Sequence, residues 1–183
     1  MLFRSQVDRA TAESDPINPT DIYQATKGAA TLLCQGYSRY HKLQIAVARI
    51  YSGYGAFERA RRLFPTLYRA TFNGEPMVLR DGVHDFIYVK DFLRGVDCLL
   101  AKDWPYGEIV NFGSGQQTTN LEVLRAWYSV VRNESPISYE PGFSKHYDNK
   151  IWRCDTRYAE SQYGFKTQYS LADGIRDFIT EKK

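Results

Sequence analysis

The sequence predicts an α/β fold, and three observations lead there. Amphipathic stretches with a period near 3.6 alternate with short apolar or β-branched runs along the 183 residues. Glycine-bearing turns separate these runs, as at Gly53, Gly55 and Asn73-Gly74. The composition, 43% hydrophobic and 25% charged, belongs to the folded class and not to the disordered one. That length is enough for one ordinary domain with its own core.

Residues 1–19 are polar, end in Asn18-Pro19 and read as a loop. Thr20 is the expected N-cap, and 21–41 then reads as a long helix. This helix carries one apolar stripe at Ile22, Ala25, Ala29, Leu33, Tyr37 and Tyr40, and a second strip at Ala30 and Cys34. A helix apolar on two sides is normally buried on both. Leu43 to Tyr51 reads as a buried strand that Gly53 and Gly55 end. Residues 57–73 read as an amphipathic helix whose wet face holds Arg59, Arg61, Arg62 and Arg69. Short strands follow near Met77–Leu79 and Phe86–Tyr88, then a helix over Val89–Ala101 and a strand at Glu108–Phe112. Thr119 opens another helix with Glu122 three residues on, a capping-box pattern. A strand at Ile137–Tyr139 and helices at Arg157–Tyr163 and Leu171–Glu181 complete the series.

Several function classes fall away on composition. A net charge of +3 is too small to imply nucleic acid, although it suits an anionic ligand such as a diphosphate. Cys34, Cys98 and Cys154 are far apart, and His41, His84 and His146 do not fall at metal-ligand spacings. The expectation is a reduced, cytoplasmic protein without structural metal. The N-terminal stretch is too polar for a signal peptide, and no apolar run approaches the roughly 18–20 residues of a membrane span. Aromatic residues reach 15%, and such side chains build cores and also line pockets for flat or sugar-like ligands.

The residues that carry chemistry begin at Tyr23-Gln-Ala-Thr-Lys27, where positions four apart share a helix face. A tyrosine must drop its pKa by about three units to accept a proton near neutrality. An ammonium one turn away favours the phenolate and can also hold ribose hydroxyls. In a chain this rich in Tyr and Lys such a pair arises by chance about once, so the spacing decides nothing alone. Gly113-Ser-Gly115 after a strand is a second candidate. It lacks the third glycine and the later acidic strand end of a dinucleotide fingerprint, so it reads as a turn plus helix cap.

The neighbouring segments give the first motif its meaning. Pro19-Thr20-x-x-Tyr23-x-x-x-Lys27 with Ala29 and Ala30 resembles the catalytic helix of the extended short-chain dehydrogenase/reductase family, in particular its sugar-nucleotide epimerases and dehydratases. Arg49-Ile-Tyr-Ser-Gly-Tyr54-Gly55 is similar to that family's R-x-F-N-x-Y-G segment, and His84-Asp-Phe-Ile-Tyr-Val-Lys-Asp91 to its R-D-F-I-Y-V-x-D segment. Asn111-Phe-Gly-Ser-Gly115 resembles its N-x-G-S-G segment, and Asp155 through Ile175 its closing segment. The resemblance implies a truncated Rossmann-like portion, with catalytic helix and last strands, beside a small α/β substrate-binding lobe. The corresponding division is 1–56 as a remnant of the nucleotide-binding domain and 57–183 as the substrate lobe.

The same resemblance implies roles. Tyr23 is the acid or base, and Lys27 lowers its pKa and binds the cofactor ribose. Ser52 and His84 stand where substrate phosphates are met, and Arg153 is a further candidate for them. His84 replaces an arginine, which removes a permanent charge and a bidentate fork. It reads equally as a hydrogen-bonded, half-buried histidine. The complete family uses NAD or NADP, held by a glycine-rich turn at a helix N-terminus. No G-x-x-G-x-x-G precedes Tyr23, and Ser5 lies too close to it to be the family's upstream Ser or Thr. The expectation is a chain that binds no dinucleotide alone and is inactive alone. A nucleotide sugar is the expected ligand and a homo-oligomer, with a dimer favoured, the expected state. A chain of a split enzyme that takes its cofactor domain from a separate chain remains open. So does a non-catalytic nucleotide-sugar-binding or oligomerisation module.

Overall fold

The computed structural model describes residues 9–132, 137–143 and 151–182; Ser5 and His146 lie outside them. Helix α1 (Ile22–His41) is capped by Asp21, whose carboxylate accepts from Gln24 N at 2.7 Å. Thr20 is one residue too early for the cap and donates instead, from its N–H and hydroxyl, to Gln24 Oε1. The face that α1 buries is Gln24, Gly28, Thr31 and Ser38. The apolar stripe faces the other way: Ile22 and Tyr40 are 84% and 83% exposed, and Leu33 and Tyr37 are exposed too. The second strip fares no better, with Ala30 exposed and Cys34 half-buried. Burial on both sides is therefore not what the described residues provide. Small and polar side chains form the inner face and bring the helix close to the sheet.

Ser38 fixes that approach. Its hydroxyl donates to Leu43 O at 2.6 Å and accepts from Gly107 N at 2.8 Å, tying the end of α1 to the starts of two strands. Lys42 in the left-handed region (φ 57) turns the chain. The strand β1 (Ala46–Ile50) is shorter than the expected 43–51 because this turn uses up Leu43 to Ile45. It runs parallel to β6 (Glu108–Phe112), with Ala46 opposite Glu108 and Ile50 opposite Phe112. Short β2 (Ser52–Tyr54) continues the chain and pairs in parallel with β5 (Phe86–Tyr88).

Helix α2 (Leu63–Asn73) starts at Leu63 and not at Phe57. Phe57 sits at φ 64, and Arg62 is an extended N-cap with ψ 166, so no helix forms between them. Arg59, Arg61 and Arg62 therefore belong to a loop, and only Arg69 lies on the helix. Strand β3 (Met77–Asp81) pairs in parallel with β8 (Ile137–Phe143), and β4 (Val83–His84) antiparallel with β7 (Thr118–Thr119). Helices α3 (Val89–Leu100), α4 (Asn120–Val131), α5 (Arg157–Tyr163) and α6 (Leu171–Lys182) match the expected pattern closely. The Thr119–Glu122 capping box is present in both directions.

Two apolar clusters hold these elements. One gathers Tyr54, Phe64, Leu67, Leu79, Trp127 and Phe178 among α2, β3, α4 and α6. The other gathers Ile87, Val110, Phe112, Tyr163 and Phe165 among β5, β6 and α5. Buried Asp91 on α3 accepts from Gln168 N and Tyr169 N and pairs with Arg94, which fastens the chain ahead of α6. Among the described residues no helix is long and apolar enough to cross a membrane.

Among these residues β1 pairs with β6 alone. An open strand edge beside an exposed apolar stripe favours association, most often as a symmetric dimer. Light scattering at tens of micromolar should give a mass well above the 21.1 kDa of one chain. A monodisperse monomer would show that the α1 stripe is stable against water.

Candidate functional site

Because β1 and β6 are parallel, their carboxyl ends at Ile50 and Phe112 lie side by side. Ligands of open α/β sheets sit at such ends. The segments that follow, Tyr51-Ser52 entering β2 and the turn Gly113-Ser114-Gly115, are fastened to a third segment. Tyr51 N donates to Phe112 O and Ser52 N to Asp85 O, each at 2.9 Å.

Asp85 is fully buried. Its carboxylate accepts from Ser114 N at 2.7 Å, Ser114 Oγ at 2.7 Å, Gly115 N at 3.0 Å and Cys154 N at 2.8 Å. Burial pushes its pKa up, and these four donors pull it down. The room is tight: a Cβ on Gly113 would lie 2.5 Å from Cys154 Cβ and 2.9 Å from Asp85 Oδ2. The N–H groups of this glycine turn point at Asp85, so they do not cradle a pyrophosphate.

Next to this hub, Ser52 Oγ and His84 Nδ1 are 3.3 Å apart. The two expected phosphate-site residues, from β2 and β4, thus form one hydrogen-bonded pair. His84 is half-buried, with its ring centroid 5.1 Å from Phe86 and 6.0 Å from Trp152. A cleft of about 260 Å³ opens beside the pair, lined also by Glu58, Arg61, Arg62, Asp81 and Asn120. The loop ahead of α2 delivers both arginines, which a helix face over 57–73 would not have done.

Tyr23 and Lys27 share an exposed face in the first turns of α1, with the ammonium 6.0 Å from the phenol ring centroid. Neither hydrogen-bonds a side chain of the Ser52–His84 pair. Arg153 is exposed and does not line the cleft; its carbonyl accepts from Thr11 N at 2.9 Å. The residues present meet a dinucleotide only in part. Tyr23 and Lys27 present a hydroxyl and an ammonium on one exposed face, but the Gly113–Gly115 turn is committed to Asp85.

Three acidic residues escaped the sequence reading. Asp85 lies inside the His84–Asp91 segment, where a carboxylate directly ahead of the apolar run Phe86-Ile87-Tyr88-Val89 is the available signal. Glu13 accepts from Asn111 N at 2.8 Å through its side chain and from Arg49 through its carbonyl at 3.3 Å, and burial pushes its carboxyl up. Glu58 lines the cleft, and nothing in its local sequence marks it. A more open cavity of about 590 Å³ lies at the amino end of β6, among Glu13, Arg39, Glu108 and Arg157, and shares no lining residue with the Ser52–His84 cleft.

Residues 4–113 match the model of the NAD dependent epimerase/dehydratase family. The chain is 30% identical over 177 residues to the low-salt glycan biosynthesis protein Agl12 of Haloferax volcanii, covering 92% of this chain and 54% of that protein. It is 25% identical over 185 residues to a dTDP-glucose 4,6-dehydratase of Haemophilus influenzae, covering 93% and 54%. The chain thus spans about half the length of the curated relatives it matches. Its fold resembles that of the Bacillus anthracis dTDP-glucose 4,6-dehydratase solved with NAD, with a TM-score of 0.83 at 21% identity over 99% of this chain and 58% of that one. It also resembles MoeE5 solved with UDP-glucuronic acid and NAD, with a TM-score of 0.85 at 24% identity over 96% and 60%. The expected α/β, Rossmann-like portion is therefore the observed fold.

Replacing Asp85 by Ala strands one buried and two half-buried backbone N–H groups, each worth about 1–3 kcal/mol. Urea denaturation of Asp85→Ala should show a loss of at least about 3 kcal/mol, with Asp85→Asn in between. A loss below about 1 kcal/mol would mean that the carboxylate does not hold the turns together.

Proposed function

The chain belongs to the NAD dependent epimerase/dehydratase family, and we propose that these residues form the substrate side of an NAD(P)-dependent sugar-nucleotide epimerase, dehydratase or reductase. The observation that carries this reading is the Ser52–His84 bond. Two residues from segments far apart in sequence meet in one cleft, beside two arginines. Relatives with the same fold are described as binding UDP-glucose or UDP-glucuronic acid together with NAD.

In this reading the diphosphate of a nucleotide sugar lies along Ser52, His84, Arg61 and Arg62. The serine hydroxyl and the guanidinium groups donate to phosphate oxygens, as anion sites require. Arg153 takes a supporting place at the edge of the same ligand. The sugar extends toward the carboxyl ends of β1 and β6. Tyr23 exchanges a proton with a sugar hydroxyl, and Lys27 favours its phenolate and holds a ribose. The nicotinamide, NAD or NADP, supplies the hydride chemistry when a cofactor-binding portion is joined to these residues. Alone they hold no dinucleotide and are inactive.

A second reading draws on the exposed stripe of α1 and the open edge of β1. A cofactor-domain chain docked there would make this one partner of a split enzyme. A second copy there would make it a nucleotide-sugar-binding or oligomerisation module.

Calorimetry with UDP-glucose, dTDP-glucose, NAD and NADP separates these possibilities. A nucleotide sugar should bind and neither dinucleotide should. Ser52→Ala or Arg62→Ala should weaken the sugar nucleotide about 10-fold or more, since bonds to charged groups contribute about 1.5–3 kcal/mol. Micromolar NAD binding, or equal affinity in both variants, would refute the assignment.

If a cofactor-binding portion added in trans restores turnover, Tyr23→Phe should remove about 10²–10⁴-fold of it while leaving ligand binding intact. Undiminished turnover in that variant would take Tyr23 out of the chemistry.

A further inference from the structure

The cleft that the reading above assigns to a diphosphate already contains a carboxylate. Glu58 stands in the loop ahead of α2, with its side chain only 12% exposed. Its Oε1 accepts from Arg62 Nε at 3.3 Å. Its Oε2 is buried and has no hydrogen-bond partner among the described residues. Asn120 Oδ1, on the same cleft, is also buried and unpartnered. Neither oxygen can donate to the other, and an unpaired buried charged oxygen is costly. Arg62, in contrast, is 60% exposed and open to a ligand on its outer side.

The charged and titratable groups around Glu58 come from several elements. Arg61 and Arg62 share its loop, Asp81 ends β3, His84 lies on β4, and Lys182 acts from the end of α6. Burial pushes the Glu58 carboxyl up to about 7, against the pull of Arg62 and Lys182. Near neutrality the group therefore divides between a charged form that engages Arg62 and a neutral form that does not.

We propose that Glu58 gates this cleft for diphosphate esters: the ionised carboxylate takes up Arg62 and repels the incoming anion, so the ligand enters on the protonated form. The proposal rests on the cleft being the diphosphate seat. Above neutrality each binding event draws one proton from solvent onto a Glu58 oxygen. The new O–H then faces a phosphate oxygen, and Arg62 turns to the ligand. The residue thereby sets how much negative charge the cleft tolerates and couples ligand affinity to pH.

UDP-glucose is the probe, because its diphosphate diester keeps both charges through the neutral range. One unit above the titration midpoint only about one molecule in ten is in the competent form, and apparent affinity falls in proportion. Glu58→Gln, which is isosteric and cannot ionise, should bind UDP-glucose about tenfold tighter than the wild type at pH 8, with the gap closed at pH 6. Calorimetry in buffers of different ionisation enthalpy should show proton uptake at pH 8 in the wild type and less in the variant. Glu58→Gln binding no tighter at pH 8, or tighter by the same factor at both pH values, overturns the gate alone. Failure of UDP-glucose to bind either protein at any pH overturns the cleft's assignment as the diphosphate seat.

Discussion

The carboxylate of Asp85 is the constraint on which the site depends. The glycine turn at the carboxyl end of β6 and the strand-like segment at Cys154 bring polar backbone N–H groups together where they need acceptors. The Asp85 carboxylate meets that need with four donors, all from Ser114, Gly115 and Cys154, while its backbone carbonyl takes Ser52 N from the segment after β1. Such an arrangement is costly in desolvation and is tolerated because every lone-pair direction finds a hydrogen. Its consequence is chemical as well as structural. The glycine turn that resembles an anion cradle is turned inward, and Ser52, fastened by its N–H to Asp85 O, is left to offer its hydroxyl to His84 and the cleft.

A second tie works from the other side of the sheet. The N-terminal strap is held where Thr11 meets Arg153 and Asp155 and where Glu13 meets Asn111. Arg49, buried on β1, donates to the strap's backbone. Charged residues inside a small α/β unit are thus used as fasteners between segments distant in sequence. Together with the backbone bonds of Thr11 to Arg153 and Asp155, they bring the N-terminal strap and the closing segment beside β1 and β6.

Helix α1 shows how far pattern alone can carry and where it misleads. Its stripe of Ile22, Leu33, Tyr37 and Tyr40 reads as a core face by period. The helix rests on the sheet through Gly28, Thr31 and Ser38 instead. Hydroxyls that bond backbone, as Ser38 does twice, satisfy burial as well as methyl groups do and allow a closer approach. Periodicity finds an apolar face without saying what covers it.

By itself the sequence determined the alternation of helices and strands, several boundaries such as Glu108–Phe112 and Arg157–Tyr163, the capping box at Thr119, and the family-like segments around Tyr23, Ser52 and His84. These are local properties: period, cap chemistry and turn residues act within a few positions. Tertiary structure alone decided that Ser52 meets His84, that Arg61 and Arg62 leave the helix and face a cleft, that Asp85 is buried and that Glu13 and Glu58 are half-buried. The reason is that a carboxylate's role depends on which donors and which dielectric surround it, and those come from residues tens of positions away. No neighbour in the chain announces that Glu58 will be shut away from water, and only the packing of the loop ahead of α2 against the cleft makes it so.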